Sequence, residues 1–167
     1  MLGHFGFSYV GLVFLLMLLI PNLIWAKRPP AGYSQTGENK VLLVFERVGQ
    51  VLCTCCALIF EDFNLSPFTP WSLWLIASFL LMLFYELSWI RYFKGPRTNA
   101  DFYKSLWGIP TPLAVLPVAA FFLLGVYGRG VWMVLSSIIL GIGHIGIHLG
   151  HLRAAGKTGG FEHGCHR

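Results

Sequence analysis

The sequence predicts an all-α membrane protein, a bundle of five transmembrane helices. Of its 167 residues, 56% are hydrophobic and only 11% are charged, whereas about a quarter are charged in a typical soluble domain. The apolar residues form five runs that meet or approach the roughly 20 residues needed to cross the hydrocarbon core. The basic residues stand between these runs. Together these observations predict a multi-pass protein of the cell membrane.

The five runs give the order of the spans: 5–26, 41–60, 73–93, 111–128 and 131–152. The fourth run is the shortest and contains Pro112 and Pro117, which predicts a kinked or tilted helix. The first run has no basic residue before it and is followed by Lys27 and Arg28. We therefore interpret it as a membrane span rather than a signal peptide.

The charges between the spans predict the orientation of the chain. Basic residues follow the first, third and fifth spans: Lys27, Arg28, Lys40, Lys94, Arg97, Lys104, Arg153, Lys157 and Arg167. The other side carries only Arg129. The positive-inside rule then places the N-terminus outside and the C-terminus in the cytoplasm. The net charge of +5 is thus interpreted as a topology signal, and no nucleic-acid partner is expected.

The chain divides into one transmembrane domain, residues 1–153, and a short tail. The tail, residues 154–167, is rich in glycine and polar residues, and we expect it to be flexible and cytoplasmic. The sequence contains no phosphate-binding glycine-rich loop and no GxSxG motif. An ATPase or a conventional hydrolase is therefore not expected.

Polar side chains inside the predicted helices are the candidates for function. With a rise of about 1.5 Å per residue, several lie roughly 7–9 Å from the nearest basic flank. They share one level close to the predicted cytoplasmic face: Asn22, Glu46, Arg47, Gln50, Glu86, His144 and His148. Ionisable groups at membrane depth are costly, and they often mark functional sites.

Our leading hypothesis is a cytoplasm-facing site that binds, and transports, a small polar or cationic ligand. Glu46 and Glu86 would supply charge, Arg47 and Gln50 would orient the ligand, and Asn22 would add a polar contact. Histidines on the fifth span would ligate the ligand or relay protons. A homo-oligomer is compatible with this hypothesis, because five helices enclose little space.

A second hypothesis is a membrane-embedded metal-dependent enzyme. His144, His148 and His151 have the i, i+4, i+7 spacing that places them on one helix face. With Glu46 or Glu86 they would offer ligands for a divalent transition metal. The substrate would be a lipid or a quinone-like molecule at the inner leaflet. The sequence lacks an HExxH motif, so no familiar metalloenzyme signature supports the site.

Two structural interpretations remain open beside these. An ion pair of Glu86 with Arg47, or of Glu46 with Arg91, could lock the bundle without binding any ligand. The chain could also be a non-catalytic subunit of a larger membrane partner.

The loop 96–110 could cover the polar cluster from the cytoplasmic side.

Overall fold

The structure is a computed structural model that describes residues 3–30, 38–106 and 108–162, with only the backbone for 154–162. The predicted all-α bundle of about five spans is confirmed. Four helices are long and apolar enough to cross a membrane, and a fifth apolar helix is shorter. The helices are α1 (Tyr9–Ala26), α2 (Lys40–Ile59), α3 (Leu73–Lys94), α4 (Asn99–Phe102), α5 (Pro112–Tyr127) and α6 (Val131–Glu162).

Helix α1 begins at Tyr9, four residues later than the predicted span. Ser8 caps it, because the Ser8 Oγ accepts a hydrogen bond from the Gly11 amide at 2.9 Å. The residues before the cap run along the end of α2 instead of continuing the helix. The Gly6 amide donates to the Ile59 carbonyl at 2.9 Å. This segment therefore pairs through its backbone with the end of α2 and does not add a turn to α1.

Glycines bring α2 and α6 into close contact. A Cβ on Gly143 would overlap the backbone of Glu46 and Leu42, and a Cβ on Gly49 would overlap the backbone of Leu140. Small residues permit such close approach of helices in membranes. This contact, which we call the α2–α6 seam, fixes the height and rotation of both helices relative to each other.

The glycines that follow Gly143 on α6 contribute less to this seam. A Cβ on Gly146 would meet the side chain of Leu42, whereas one on Gly150 would meet nothing within 4 Å. The helix runs to Glu162, beyond the predicted end of the span at residue 152. Residues 163–167 lie outside the described part of the chain, and the flexibility of the tail stays a prediction.

Helix α5 lies in the middle of the bundle, packed against α3 and α6. Most of its residues are buried, including Pro117. The Ser78 hydroxyl of α3 donates to the Ala120 carbonyl at 2.6 Å, which joins the two helices. Its 16 residues span about 24 Å. As predicted, the fourth span is the shortest.

The two ends of the bundle differ in charge. At one end, which we call the basic end, α1 and α3 finish and α2 and α5 begin. It carries Lys27, Arg28, Lys40, Lys94, Arg97 and Lys104. The other end, the Arg129 end, contains the segment 60–72 and the turn 128–130. Which end faces the cytoplasm stays a prediction.

Candidate functional site

A cavity of about 590 Å³ lies between α1 and the rest of the bundle. We call it the lateral groove. Most of its lining is apolar, and two of its lining residues, Leu23 and Val51, are 61% and 63% exposed on the outer surface. Both residues lie within spans, so the groove opens on the side of the bundle where lipid chains would lie.

The groove exists because α1 contacts α2 closely at one point and diverges from it beyond. A Cβ on Gly11 would overlap the Ala57 carbonyl, so the two helices touch near the Arg129 end. From Leu15 to Ala26 on α1, and from Gln50 to Cys55 on α2, the facing residues line the groove instead. The gap between α1 and α2 therefore widens toward the basic end.

Asn22 and Tyr85 form a polar bridge across the groove between α1 and α3. The Asn22 Nδ2 donates to the Tyr85 hydroxyl and to the Leu18 carbonyl, both at 2.7 Å. The Tyr85 hydroxyl donates to the same carbonyl at 3.3 Å. Both donors of the Asn22 amide are thus engaged by protein acceptors. Its Oδ1 accepts no hydrogen bond from the described residues and stays available as an acceptor.

Glu46 and His144 form a close pair beside the groove. The His144 Nδ1 lies 2.6 Å from the Glu46 Oε1, and the two side chains are 23% and 13% exposed. The seam at Gly143 explains the pairing, because it brings the backbone of Glu46 against α6 one residue from His144. The carboxylate orients the imidazole and favours a proton on Nδ1. The Nε2 then accepts a hydrogen bond when the ring is neutral and donates one when it is protonated.

His148 and His151 have different surroundings from His144. The His148 ring lies 4.6 Å from the His144 ring and stacks on Phe102 at 5.8 Å. The Tyr103 ring lies 6.0 Å from it, so the loop after α3 does cover this part of the predicted cluster. The His151 Nε2 lies 3.0 Å from the Glu38 Oε1. The three histidines therefore lie on one helix face, but each has its own set of partners.

The predicted metal site finds no support in this arrangement. Within the described residues, no group of three or more His, Cys, Asp or Glu side chains is placed to hold a metal ion. His144 and His151 each pair with a different carboxylate, Glu46 and Glu38, and His148 packs against aromatic rings.

Two other predicted site residues make no hydrogen bond or ion pair with this cluster. Arg47 is exposed, and the Oε1 of the half-buried Glu86 is buried without a hydrogen-bond partner among the described residues. The ion pairs considered from the sequence, Glu86 with Arg47 and Glu46 with Arg91, are not formed. Arg91 instead donates to the Lys104 carbonyl at 2.7 Å.

Sequence reasoning placed Asn22, Gln50 and His144 in a site, and all three line the groove. It missed Tyr85 and Thr54, which also line it. Tyr85 precedes Glu86 and so lies at the depth of the predicted polar level, which could have marked it. The Thr54 hydroxyl donates to the Gln50 carbonyl at 2.8 Å, so it is satisfied within its own helix.

The polar groups that line the groove are two amides, two hydroxyls, two thiols, an indole and the His144 imidazole. Within the described part of the chain, no Lys or Arg lines the groove. Such a lining does not suit a phosphate or sulfate, because these anions are usually bound by cationic side chains. Comparisons of the chain with protein-family models, with curated proteins and with solved structures gave no match.

Proposed function

We propose that the protein binds a membrane-dissolved amphiphile with an uncharged, hydrogen-bonding head of the quinone type in the lateral groove. The supporting observation is the lining, which combines apolar walls with a few uncharged polar groups. Small-molecule sites usually have this composition, and the volume of about 590 Å³ lies within their usual range of roughly 300–1,000 Å³.

The mouth of the groove supports a ligand that arrives from the bilayer. Leu23 and Val51 line the groove and are also exposed on the side of the bundle. An apolar tail can therefore remain in contact with lipid while the head enters between α1 and α2. A water-soluble ligand would have to pass the same apolar rim, at the cost of losing its hydration.

Three polar groups can hold the head. The side chain of Gln50 forms no hydrogen bond within the described residues, so its amide can donate to a ligand carbonyl. The free Oδ1 of Asn22 can accept from a ligand hydroxyl. The Nε2 of His144 can do either, according to its protonation, and Glu46 orients the ring through Nδ1. The site thus suits both the carbonyl and the hydroxyl form of a quinone-type head.

A pair of valines on α2 tests the proposal without removing any polar group. Val51 lines the groove and is 63% exposed, whereas Val44 is 61% exposed and does not line it. We expect Val51→Trp to fill the mouth and to weaken binding of a radiolabelled short-chain quinone at least tenfold, measured by scintillation proximity. Val44→Trp, two turns away on the same helix, is expected to bind like the unsubstituted protein.

A polar-group variant gives an independent check. Gln50→Leu is expected to weaken quinone binding about tenfold, which corresponds to one hydrogen bond of about 1.4 kcal/mol. Unchanged binding in both Val51→Trp and Gln50→Leu would contradict the proposal.

The transport of a small polar or cationic ligand is the second candidate. It is favoured by the buried carboxylate oxygen of Glu86, which has no partner among the described residues. Glu86 does not line the groove, so Glu86→Gln separates the two candidates. Loss of cation uptake into reconstituted vesicles with quinone binding retained would favour transport. Uptake that is absent in both the unsubstituted protein and the variant would remove this candidate.

We further propose that the protein resides in the cell membrane with its basic end in the cytoplasm. The distribution of Lys and Arg between the two ends supports this orientation. Single cysteines placed at Ser66 and Ser105, in a variant without native cysteines, report on it. In intact cells, a membrane-impermeant maleimide should label the cysteine at position 66 and not the one at 105. The reverse pattern would overturn the orientation.

A further inference from the structure

A second cavity lies at the Arg129 end, on the far side of the bundle from the polar pair of the groove. Its volume is about 250 Å³. Its lining is polar and aromatic: Asp62, Ser66, Thr69, Trp71, Tyr127, Gly128 and Arg129. We propose that this cavity binds a phosphate group, with Arg129 as the residue that holds it.

Hydrogen bonds fix the aromatic walls of the cavity. The Trp71 Nε1 donates to the Tyr127 carbonyl at 2.9 Å. The Tyr127 hydroxyl donates to the Asn64 carbonyl at 3.0 Å and lies 3.1 Å from the Ser66 hydroxyl. These bonds tie the loop before α3 to the end of α5. The cavity is therefore a built feature of the fold, with walls that hydrogen bonds hold in place before any ligand enters.

Arg129 supplies an uncompensated positive charge at this cavity. Its guanidinium carbon lies 5.1 Å from the centre of the Trp71 ring, a cation–π contact that positions the side chain. The residue is exposed and forms no ion pair within the described ranges. The planar guanidinium is well suited to bind a phosphate through two parallel hydrogen bonds.

The carboxylate in the lining does not neutralise Arg129, because it is already engaged. The His4 Nδ1 lies 2.7 Å from the Asp62 Oδ1, and the His4 amide donates to the other oxygen of the same carboxylate. The side-chain hydrogen bond and the charge of Asp62 raise the pKa of His4. Asp62 is therefore paired with His4 rather than with Arg129, which leaves the guanidinium available to a ligand.

The backbone of Arg129 supports a role for its side chain. Its φ of +49° lies in the left-handed region, which side chains disfavour and glycine tolerates. Glycines occupy both neighbouring positions, 128 and 130. An arginine in this conformation costs stability that a third glycine would avoid. Such strain is often retained where a side chain has a function.

The level of the cavity suggests where the phosphate comes from. Trp71, Trp74 and Trp132 are 39%, 40% and 47% exposed at this end. Exposed tryptophans concentrate at the level of the lipid head groups. A lipid phosphate would meet Arg129 there, and a free phosphate ester in the surrounding water would reach the same guanidinium.

Native mass spectrometry of the full-length protein in detergent tests the proposal. Phosphatidylglycerol is the lipid probe, diacylglycerol is the matched lipid without phosphate, and glycerol phosphate is the soluble probe. We expect one saturable phosphatidylglycerol per chain and no saturable diacylglycerol. Displacement of the bound lipid by millimolar glycerol phosphate would indicate that a free phosphate ester shares the site. Lipid binding that resists displacement would assign the site to lipid head groups.

Variants separate this site from general charge effects. Arg129→Gln and Arg129→Gly should each weaken phosphatidylglycerol binding about tenfold. Arg129→Gly also relieves the left-handed backbone, so its thermal midpoint should be equal or higher, which excludes loss of binding through misfolding. Arg28→Gln removes the same charge at the basic end and should leave binding unchanged. The proposal is overturned if both Arg129 variants bind like the unsubstituted protein, or if Arg28→Gln weakens binding as much as they do.

Discussion

The two ends of α1 are held in different ways. At the Arg129 end, Asn64 accepts a hydrogen bond from the Tyr9 amide at 2.9 Å and donates to the Phe7 carbonyl at 3.0 Å. Phe5 stacks on Phe60 at 5.3 Å. At the basic end, α1 meets α3 through the Asn22–Tyr85 bridge, and Trp25 stacks on Phe102 at 5.3 Å. The lateral groove separates this part of α1 from α2.

This difference indicates that the ends have different tasks. Both ends have a stacked pair of rings, but only the Arg129 end adds backbone pairing with the end of α2, so it fixes where α1 enters the bundle. The basic end keeps a gap that a ligand can fill from the side. An α1 that is fixed at one end can admit a molecule at the other without leaving the bundle. The two candidate sites follow the same division, one with rigid walls and one with an open side.

The α2–α6 seam is where a change should have the largest effect on the fold. We expect Gly143→Ala to destabilise the protein by about 3 kcal/mol, because the added methyl group would overlap backbone atoms that cannot move independently. Thermal unfolding in detergent would measure it. Gly150→Ala is the matched control, since a Cβ there meets nothing within 4 Å, and it should be neutral or slightly stabilising. Equal effects of the two substitutions would contradict the close contact at Gly143.

An asparagine at each end allows the comparison itself to be tested. Asn64→Ala removes one hydrogen bond to the Tyr9 amide and one to the Phe7 carbonyl, and should cost about 2 kcal/mol. Asn22→Ala should cost about 1 kcal/mol, because the Tyr85 hydroxyl still donates to the Leu18 carbonyl.

Hydrogen exchange should separate the two variants further. Asn64→Ala should expose amides of the N-terminal segment, and Asn22→Ala should affect the second half of α1. A larger loss of stability in Asn22→Ala would reverse the assignment of the fixed end.

The smallest expected effect is a pH dependence at the Arg129 end. The hydrogen bond and the charge of Asp62 raise the pKa of His4 above its ordinary 6.5. Burial opposes ionisation of Asp62, but the hydrogen bonds from His4 outweigh it and lower the pKa below 3.8. The contact is therefore fully present between these two ordinary values. It weakens as pH rises through the raised pKa of His4, or falls through the lowered pKa of Asp62.

Amide exchange in the N-terminal segment would measure this dependence. Protection should be greatest near pH 5 and should decline at alkaline pH. The His4→Gln variant should lose the alkaline decline, because glutamine does not titrate. A profile that is flat from pH 5 to 9 in the unsubstituted protein would contradict a charged contact.

The sequence predicted the fold well because membrane spans are specified by length and hydropathy. The level of a residue along its helix was also predictable, since the distance from a basic flank follows from the helical rise. This is why Glu46 and His144, on different helices, were expected at one level, and the structure pairs them at 2.6 Å.

The direction in which a side chain faces around the helix axis was much harder to predict than its level along the helix. Glu86 shares the predicted level but forms no hydrogen bond with this pair, because the facing side of α3 is set by its packing on α5. The groove depends on a gap between α1 and α2, and no residue pattern in either helix encodes a gap. The cavity at Arg129 depends on one left-handed residue, which the pattern Gly-Arg-Gly permits but does not specify.

The shortness of α5 has a consequence for the connection that precedes it. Sixteen residues reach about 24 Å, less than the hydrocarbon thickness of about 30 Å. With the turn at Arg129 at the level of the head groups, the chain enters α5 below the opposite surface of the bilayer, where exposed peptide groups are costly. The connection meets part of this requirement internally, since the Ile109 amide donates to the Leu106 carbonyl at 2.9 Å. An insertion of four residues into α5 would bring the helix to about 30 Å and carry its first turn to that surface.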